Sequence, residues 1–324
     1  MVRGRILDMV RSAVPFDAYA FLRTDPVTAV GCSPLAEVPD LSMLPDLIRL
    51  KYLTSVNRWT TLASTATLLD TTDGQPEQSL IWRERLAGLG IRDVLSAVFR
   101  DRFGCWGFLD LWRRDHAFTG SEVAAVTAAL PAITLLLRQV QAAELSADDA
   151  PPAPRGPGAL VLSPGLVVRA HTPQTQDWLS ALIPPGEGRS PVPASAYNVA
   201  AQLLANEAGV DAQPPQARVH LHGGAWLTLR ADRLAGEQAP EDRDIVVTME
   251  ATSPVERREI YSRAHALTAR EDELLAQLAQ GHDTRTVAGL MAISELTVQD
   301  HLKAVFAKTA TSSRRELLAR CAGR

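Results

Sequence analysis

Two rhythms of apolar and polar positions divide this chain. Toward the C-terminus the period is helical. Val298, Leu302, Val305 and Phe306 stand at i, i+4, i+7 and i+8 of one stretch, the spacing of a buried helix face. Ser294 precedes that helix as an N-cap and Glu295 stands at its positive end. Opposite the stripe lie Gln299, Asp300, Lys303 and Ala307, with Lys308 near the end. Upstream, Thr268 and Glu271 form a capping box ahead of the stripe Leu274, Leu275, Leu278, and Gly281 supplies a left-handed stop. Asp283 caps a short helix that buries Val287, Ala288 and Met291, and only Ala292 to Ser294 separate it from the Ser294-capped helix. A further capping box at Ser313 and Glu316 opens a last helix. Four capped helices, two of them joined by a tight turn, predict a helix-turn-helix bundle.

Earlier in the chain the period falls to two. "AYAFLRT" reads as a strand, and "RDVLSAVFRD" and "CWGFLDLWRR" as a hairpin turning at Arg102 to Gly104. "SEVAAVTAALPAITLLLRQVQAA" is a long apolar helix, kinked by Pro131, whose Leu135 to Leu137 run is wider than one face. Its width suggests dimerisation as well as core. "SADDAPPAPRGPG" fits neither helix nor strand and reads as a linker. Beyond it come two strands about a Pro-Gly turn, a helix begun near Thr172, a hairpin turning at Gly223-Gly224, and the strand "DIVVTME". The fold class expected is thus α+β sensor domains with antiparallel sheets, followed by an all-α bundle. The expected boundaries are a first domain at 1–145, a linker at 146–158, a second domain at 159–251, a helical linker at 252–266 and the bundle at 267–324.

The bundle resembles the LuxR-type DNA-binding domain of bacterial transcription regulators through Leu267-Thr268, Arg270-Glu271, Gly281, Ala288, Ile293-Ser294, Thr297-Val298, His301, Lys308 and Arg314-x-Glu316-Leu317. The resemblance implies that Gln299, Asp300 and Lys303 face bases and that Thr297 and His301 lie near phosphates; Lys308 and Arg314 complete the expected set. The chain departs from the family at Gln299, usually lysine, and at Thr309-Ala310-Thr311, usually Leu-Gly-Val. An acid facing the groove, Asp300, is unfavourable unless it accepts from a cytosine amine. "IRLKYLTSVNRW" through "FRDRFGCWGFLDLW" resembles a GAF-like sensor, and the middle segment a PAS-like fold.

Composition narrows the partners. Of 324 residues, 46% are hydrophobic and 22% charged, enough for two or three domains with cores. No uninterrupted apolar run reaches the roughly 18 residues of a membrane span, and the N-terminus lacks a signal peptide's features, so a cytoplasmic protein is expected. From Ser262 onward nine Lys/Arg face seven Asp/Glu, net +2; the remainder carries 24 against 30, net −6. So weakly basic a reader predicts a homodimer on a palindromic double-stranded operator.

Four tryptophans, Trp59, Trp82, Trp106 and Trp112, lie in the first domain, and with Tyr52 they are candidates to line a pocket for a small apolar or aromatic ligand. The hairpin alternation puts Trp106, Phe108 and Trp112 on one face with Asp110 among them, an acid that solvent at a sheet edge would accommodate. His220-x-His222 has metal-compatible spacing without a nearby third ligand, so no metal and no cofactor are expected.

Three rivals to a ligand-responsive regulator remain. One is a sensor half that only dimerises. Another is a GAF-fold thiol oxidoreductase using Cys32 and Cys105, for which no basic neighbour is evident. The last is a phosphorylated receiver, whose acidic pair "AYAFLRTD" does not supply. A non-enzymatic regulator is the expectation.

Overall fold

The computed structural model describes residues 2–146, 154, 156–182, 193–221, 225–237 and 239–323. Helix α1 (Val2–Ala13) leads into strands β1 (Ala18–Thr24) and β2 (Gly31–Glu37). Then follow α2 (Leu44–Leu53), the short β3 (Ala66–Thr67) and α3 (Leu68–Thr71), the hairpin β4 (Asp93–Asp101) and β5 (Gly104–Arg113), and α4 (Gly120–Leu145). The strands form an antiparallel sheet in the order β2-β1-β5-β4-β3. Pro34, which cannot donate to a ladder, sits in β2 at the sheet edge, where such a residue is tolerated.

A second antiparallel sheet follows: β6 (Gly158–Leu162), β7 (Val168–His171), α5 (Pro173–Leu182), α6 (Ala194–Glu207), β8 (Gln216–His220), β9 (Trp226–Arg233) and β10 (Ile245–Ala251). Its order is β7-β6-β10-β9-β8. Counted from its own first strand, each sheet therefore runs second, first, fifth, fourth, third. The expected turn at Gly223-Gly224 lies outside the described residues, as do His222 and most of the proline-rich segment.

The two sheets belong to one compact unit. Helix α6 explains why. It is built from small residues, and Ala194 to Gln202 are all buried, because it packs against α2 and β2 on one side and β8 and β10 on the other. Asn198 comes so close to β2 that a Cβ on Gly31 would stand 2.9 Å from its Oδ1. Ser195 Oγ donates to the Cys32 carbonyl at 2.6 Å. Asp25, just past β1, receives Arg218 of β8 in a bidentate pair (2.6 and 2.8 Å) that is fully buried. Two such modules cannot separate without exposing that pair.

The second unit carries the end of α4, from Leu136, and the helices beyond Thr252. These are α7 (Pro254–Ala264), α8 (Ala269–Ala279), α9 (Thr284–Met291), α10 (Glu295–Thr309) and α11 (Arg314–Ala322). The segment expected as a helical linker is thus α7, which buries Arg257, Ile260 and Tyr261 in the bundle. Arg257 Nη2 donates to the Leu145 carbonyl at 2.8 Å and the Arg320 carbonyl at 3.4 Å. It satisfies the last carbonyl of α4 and gives the Arg320 carbonyl, which also accepts from Gly323 N, a second donor.

Helix α4 continues through Pro131. By length and mean hydropathy, 1.7 over its most apolar window, it reaches the measure of a membrane span. An uninterrupted-run criterion misses it because Thr127, Pro131 and Thr134 break the run. Ala124, Ala125, Ala128, Ala132, Leu135 and Leu136 form an exposed, uncharged face along it.

Candidate functional site

Local chemistry sets each helix of the bundle. Thr268 and Glu271 form the reciprocal capping box of α8. Asp283 accepts from Thr286 N at 2.8 Å to start α9, and Ser294 accepts from Thr297 N at 3.1 Å to start α10. Ser313 caps α11, but the box expected there is not closed; the Glu316 carboxylate accepts from Ser312 N and Oγ instead, both at 2.8 Å. Between α9 and α10 the chain turns at Ala292, in the left-handed region (φ 53°).

On α10, Val298, Val305 and Thr309 are buried, whereas Leu302 and Phe306 of the expected stripe are only half-buried. The opposite face is exposed and holds Leu296, Gln299, Asp300, Lys303 and Ala307. Lys303 Nζ lies 3.3 Å from Asp300 Oδ1, with the two side chains 75% and 64% exposed. A pair so solvated is worth little to the free protein, so both groups are free to exchange partners. Gln299 Nε2 reaches only a long contact with Thr284 Oγ1 (3.4 Å). Thr297 Oγ1 is 2.8 Å from Ser294 Oγ, and His301 is half-buried beside this face.

Lys308 and Arg314 are occupied within the fold. Lys308 Nζ donates to Glu271 Oε2 at 2.6 Å and to the Ala266 carbonyl at 3.3 Å. Burial opposes ionisation of Glu271, but the bonds from Lys308 and Thr268 outweigh it and hold the carboxyl below its usual pKa. Arg314 Nη2 donates to the His282 carbonyl. Both therefore brace the bundle. Sequence reading also passed over Leu296, an apolar side chain 71% exposed on the reading face, and Leu290 and Arg285 exposed on α9. The signal for Leu296 was its place off the apolar stripe.

Helices α9 and α10, joined by three residues with the second exposing a face of mixed apolar, polar and charged residues, define a helix-turn-helix domain. Residues 265–321 match the family described as bacterial regulatory proteins, luxR family (GerE), so the C-terminal domain is a LuxR-type helix-turn-helix. That family suggests DNA-binding transcription regulation. No curated protein matches the chain.

In the first sheet, the five aromatic candidates separate. Trp59 lines a cavity of about 50 Å³ between α2 and the sheet. Tyr52 is buried beside it, its hydroxyl accepting from Gly31 N at 2.9 Å. Trp82 packs on the apolar core with its Nε1 donating to the Ile91 carbonyl, and Trp106 is buried with its Nε1 bonded to Asp101. Neither lines the cavity. Trp112, also among the candidates, does.

Asp110 is not at a sheet edge. It sits on β5, the central strand, and is buried because three other elements bring it partners. Ser96, its direct cross-strand neighbour on β4, donates at 2.7 Å; Trp59 Nε1 donates at 3.2 Å; Lys51 of α2 pairs at 2.9 Å. Lys51 occupies the stripe Leu44, Leu47, Ile48, Lys51, and Asp110 the stripe Trp106, Phe108, Asp110, Trp112. Each apolar stripe thus contains one charged member, and the two meet.

The cysteines Cys32, Cys105 and Cys321 are buried and form no disulfide. Burial raises the Cys105 thiol pKa, against weaker opposing contacts from Arg100 and Thr24. A nucleophilic thiol needs the opposite shift.

Proposed function

We propose that this chain is a sequence-specific transcription regulator of the cytoplasm that binds a palindromic double-stranded operator as a homodimer, under the control of its sheet-bearing half. The observation that carries the reading is the α10 face, where Gln299, Asp300 and Lys303 are exposed and without strong partners on a LuxR-type domain. Those three address base edges, with Leu296 supplying apolar contact to a thymine methyl, and Thr297 and His301 lie near phosphates. The Lys303–Asp300 pair opens on binding, and Asp300 then accepts from a cytosine amine. Lys308 and Arg314 contribute by holding the bundle.

Homodimerisation is supported by the small net charge of the reader and by the uncharged exposed face of α4. The sheets read as a GAF-like and a PAS-like module, and control by a small ligand is supported by the cavity beside Trp59. Thr60 Oγ1 bonds Asp211, which also receives Arg58 at 3.5 Å. Both residues flanking Trp59 are therefore tied to the second module, so a displacement of Trp59 is felt there.

Genome-wide capture of DNA with the purified protein, followed by mobility-shift titration and light scattering, tests the reading. One enriched palindrome bound by a dimer is expected. Capture without sequence preference, or a monomer both free and on DNA, overturns it.

A further inference from the structure

The exposed face of α10 holds one anion and one cation, Asp300 and Lys303, and the two meet. They stand three residues apart, on neighbouring turns of the same face, with Lys303 Nζ 3.3 Å from Asp300 Oδ1. Among the described residues neither side chain makes another hydrogen bond or ion pair. Gln299 beside them carries both a donor and an acceptor, so it imposes no sign on what it touches. Any polarity in the reading therefore comes from Asp300 and Lys303. An acid in the groove is repelled by the phosphates. Lys303 cancels that charge, so the pair enters as a neutral unit, and the water that Asp300 gives up must be replaced by a base donor.

We infer that Asp300 and Lys303 together read a single C·G base pair of fixed orientation in each operator half-site. Asp300 takes the cytosine amine, and Lys303 takes O6 and N7 of the guanine paired with it. This rests on α10 reading an operator, and it names the base pair read. Cytosine N4 is a donor, and guanine O6 and N7 are acceptors beside it on the same major-groove edge. N4 and O6 are bonded to each other across the pair, about 3 Å apart, close to the 3.3 Å between Lys303 Nζ and Asp300 Oδ1. As the contact between the two side chains gives way, each charge takes the base atom beneath it. A G·C pair reverses the order, so Asp300 meets acceptors and Lys303 a donor. In A·T the adenine amine adjoins N7, an acceptor that repels a carboxylate, and thymine offers Lys303 only O4 beside a methyl. In T·A the anion meets that oxygen and methyl.

Selection of duplexes from a randomised pool by the full chain, followed by mobility-shift titration at fixed salt, tests this. The selected half-site is expected to contain one C·G pair whose exchange for G·C, A·T or T·A weakens binding by roughly tenfold or more. Asp300→Ala is expected to lose that discrimination while binding unselected duplex more tightly, because an anion has left the groove. A variant that gains affinity for every duplex alike, with the ranking unchanged, overturns the inference. Exchanging the two charges, Asp300→Lys with Lys303→Asp, keeps the net charge and is expected to invert the preference, to G·C over C·G at that position. Both side chains are exposed, so the double variant is expected to melt with the parent. A folded double variant without the inversion overturns the inference. Failure of the operator reading is distinguishable from failure here. If no sequence is enriched, both end; if a palindrome is enriched but its C·G preference does not follow Asp300, only the base assignment ends.

Discussion

The same two side chains, a lysine and an aspartate, meet in both units of this protein. Lys51 and Asp110 pair at 2.9 Å with 8% and 5% of their side chains exposed; Lys303 and Asp300 pair at 3.3 Å with 75% and 64% exposed. In the sheet, neither charge has water to return to, so each depends on the other and on Ser96 and Trp59. On α10, water substitutes for either partner at small cost. Identical chemistry is therefore structural in one place and available for exchange in the other, and burial alone makes the difference.

The largest expected effect breaks the buried pair. Lys51→Met strands Asp110 among apolar neighbours and should destabilise the chain by ~3–5 kcal/mol. Denaturant unfolding measures it, and an unchanged midpoint would show that water reaches Asp110. The matching change on α10, Lys303→Ala, should leave unfolding unaltered. It should instead weaken operator binding by ~1–3 kcal/mol, the range of a good base contact. Unaltered affinity in a titration at fixed salt removes Lys303 from the interface.

Smaller effects concern the scaffold that presents the exposed pair. Helix α10 ends at Ala310 in the left-handed region (φ 49°), a conformation that an L residue adopts at a cost and glycine does not. Ala310→Gly should stabilise the protein by ~1 kcal/mol; a lower melting temperature would contradict it. The flanking Thr309 and Thr311 face each other with hydroxyls 2.9 Å apart, which satisfies two buried polar groups where apolar residues are usual in the family.

The last change concerns the pH dependence of stability. Burial lowers the His265 pKa to about 4, against a bond to the Lys308 carbonyl that raises it. Unfolding frees the ring to titrate near its ordinary 6.5. The neutral ring's contribution is therefore complete above about pH 6.5 and is lost as pH falls toward 4. Replacing His265 with Gln should flatten stability in that window alone. A variant whose pH profile parallels the parent's would show that another group governs it.

How much was legible from the residues follows from the range of the interactions. The bundle was readable because its signals are local: Thr268 meets Glu271 and Ser294 meets Thr297 three residues apart, and the left-handed stop is Gly281 itself. Most strands were readable for the same reason, since alternation is a property of neighbours, but β2, which carries Pro34, and the two-residue β3 were not. The cavity was not. Of the four tryptophans expected there, Trp59 and Trp112 line it and Trp82 and Trp106 do not, because enrichment in tryptophan says nothing about which rings reach the core and which reach a void.

By itself the sequence determined that capped helices with a helix-turn-helix follow a half of the chain that carries antiparallel strands. Only the tertiary structure decided that Asp110 is buried, since Lys51 lies 59 positions away in the chain and no periodicity relates them. It alone decided that the sheets share a core through α6 and Asp25–Arg218, residues 193 apart, and that Lys308 pairs with Glu271, 37 positions away. The physical reason is common to all three. A charged side chain's role depends on which partners and how much water surround it, and those are set by elements that the chain brings together only on folding.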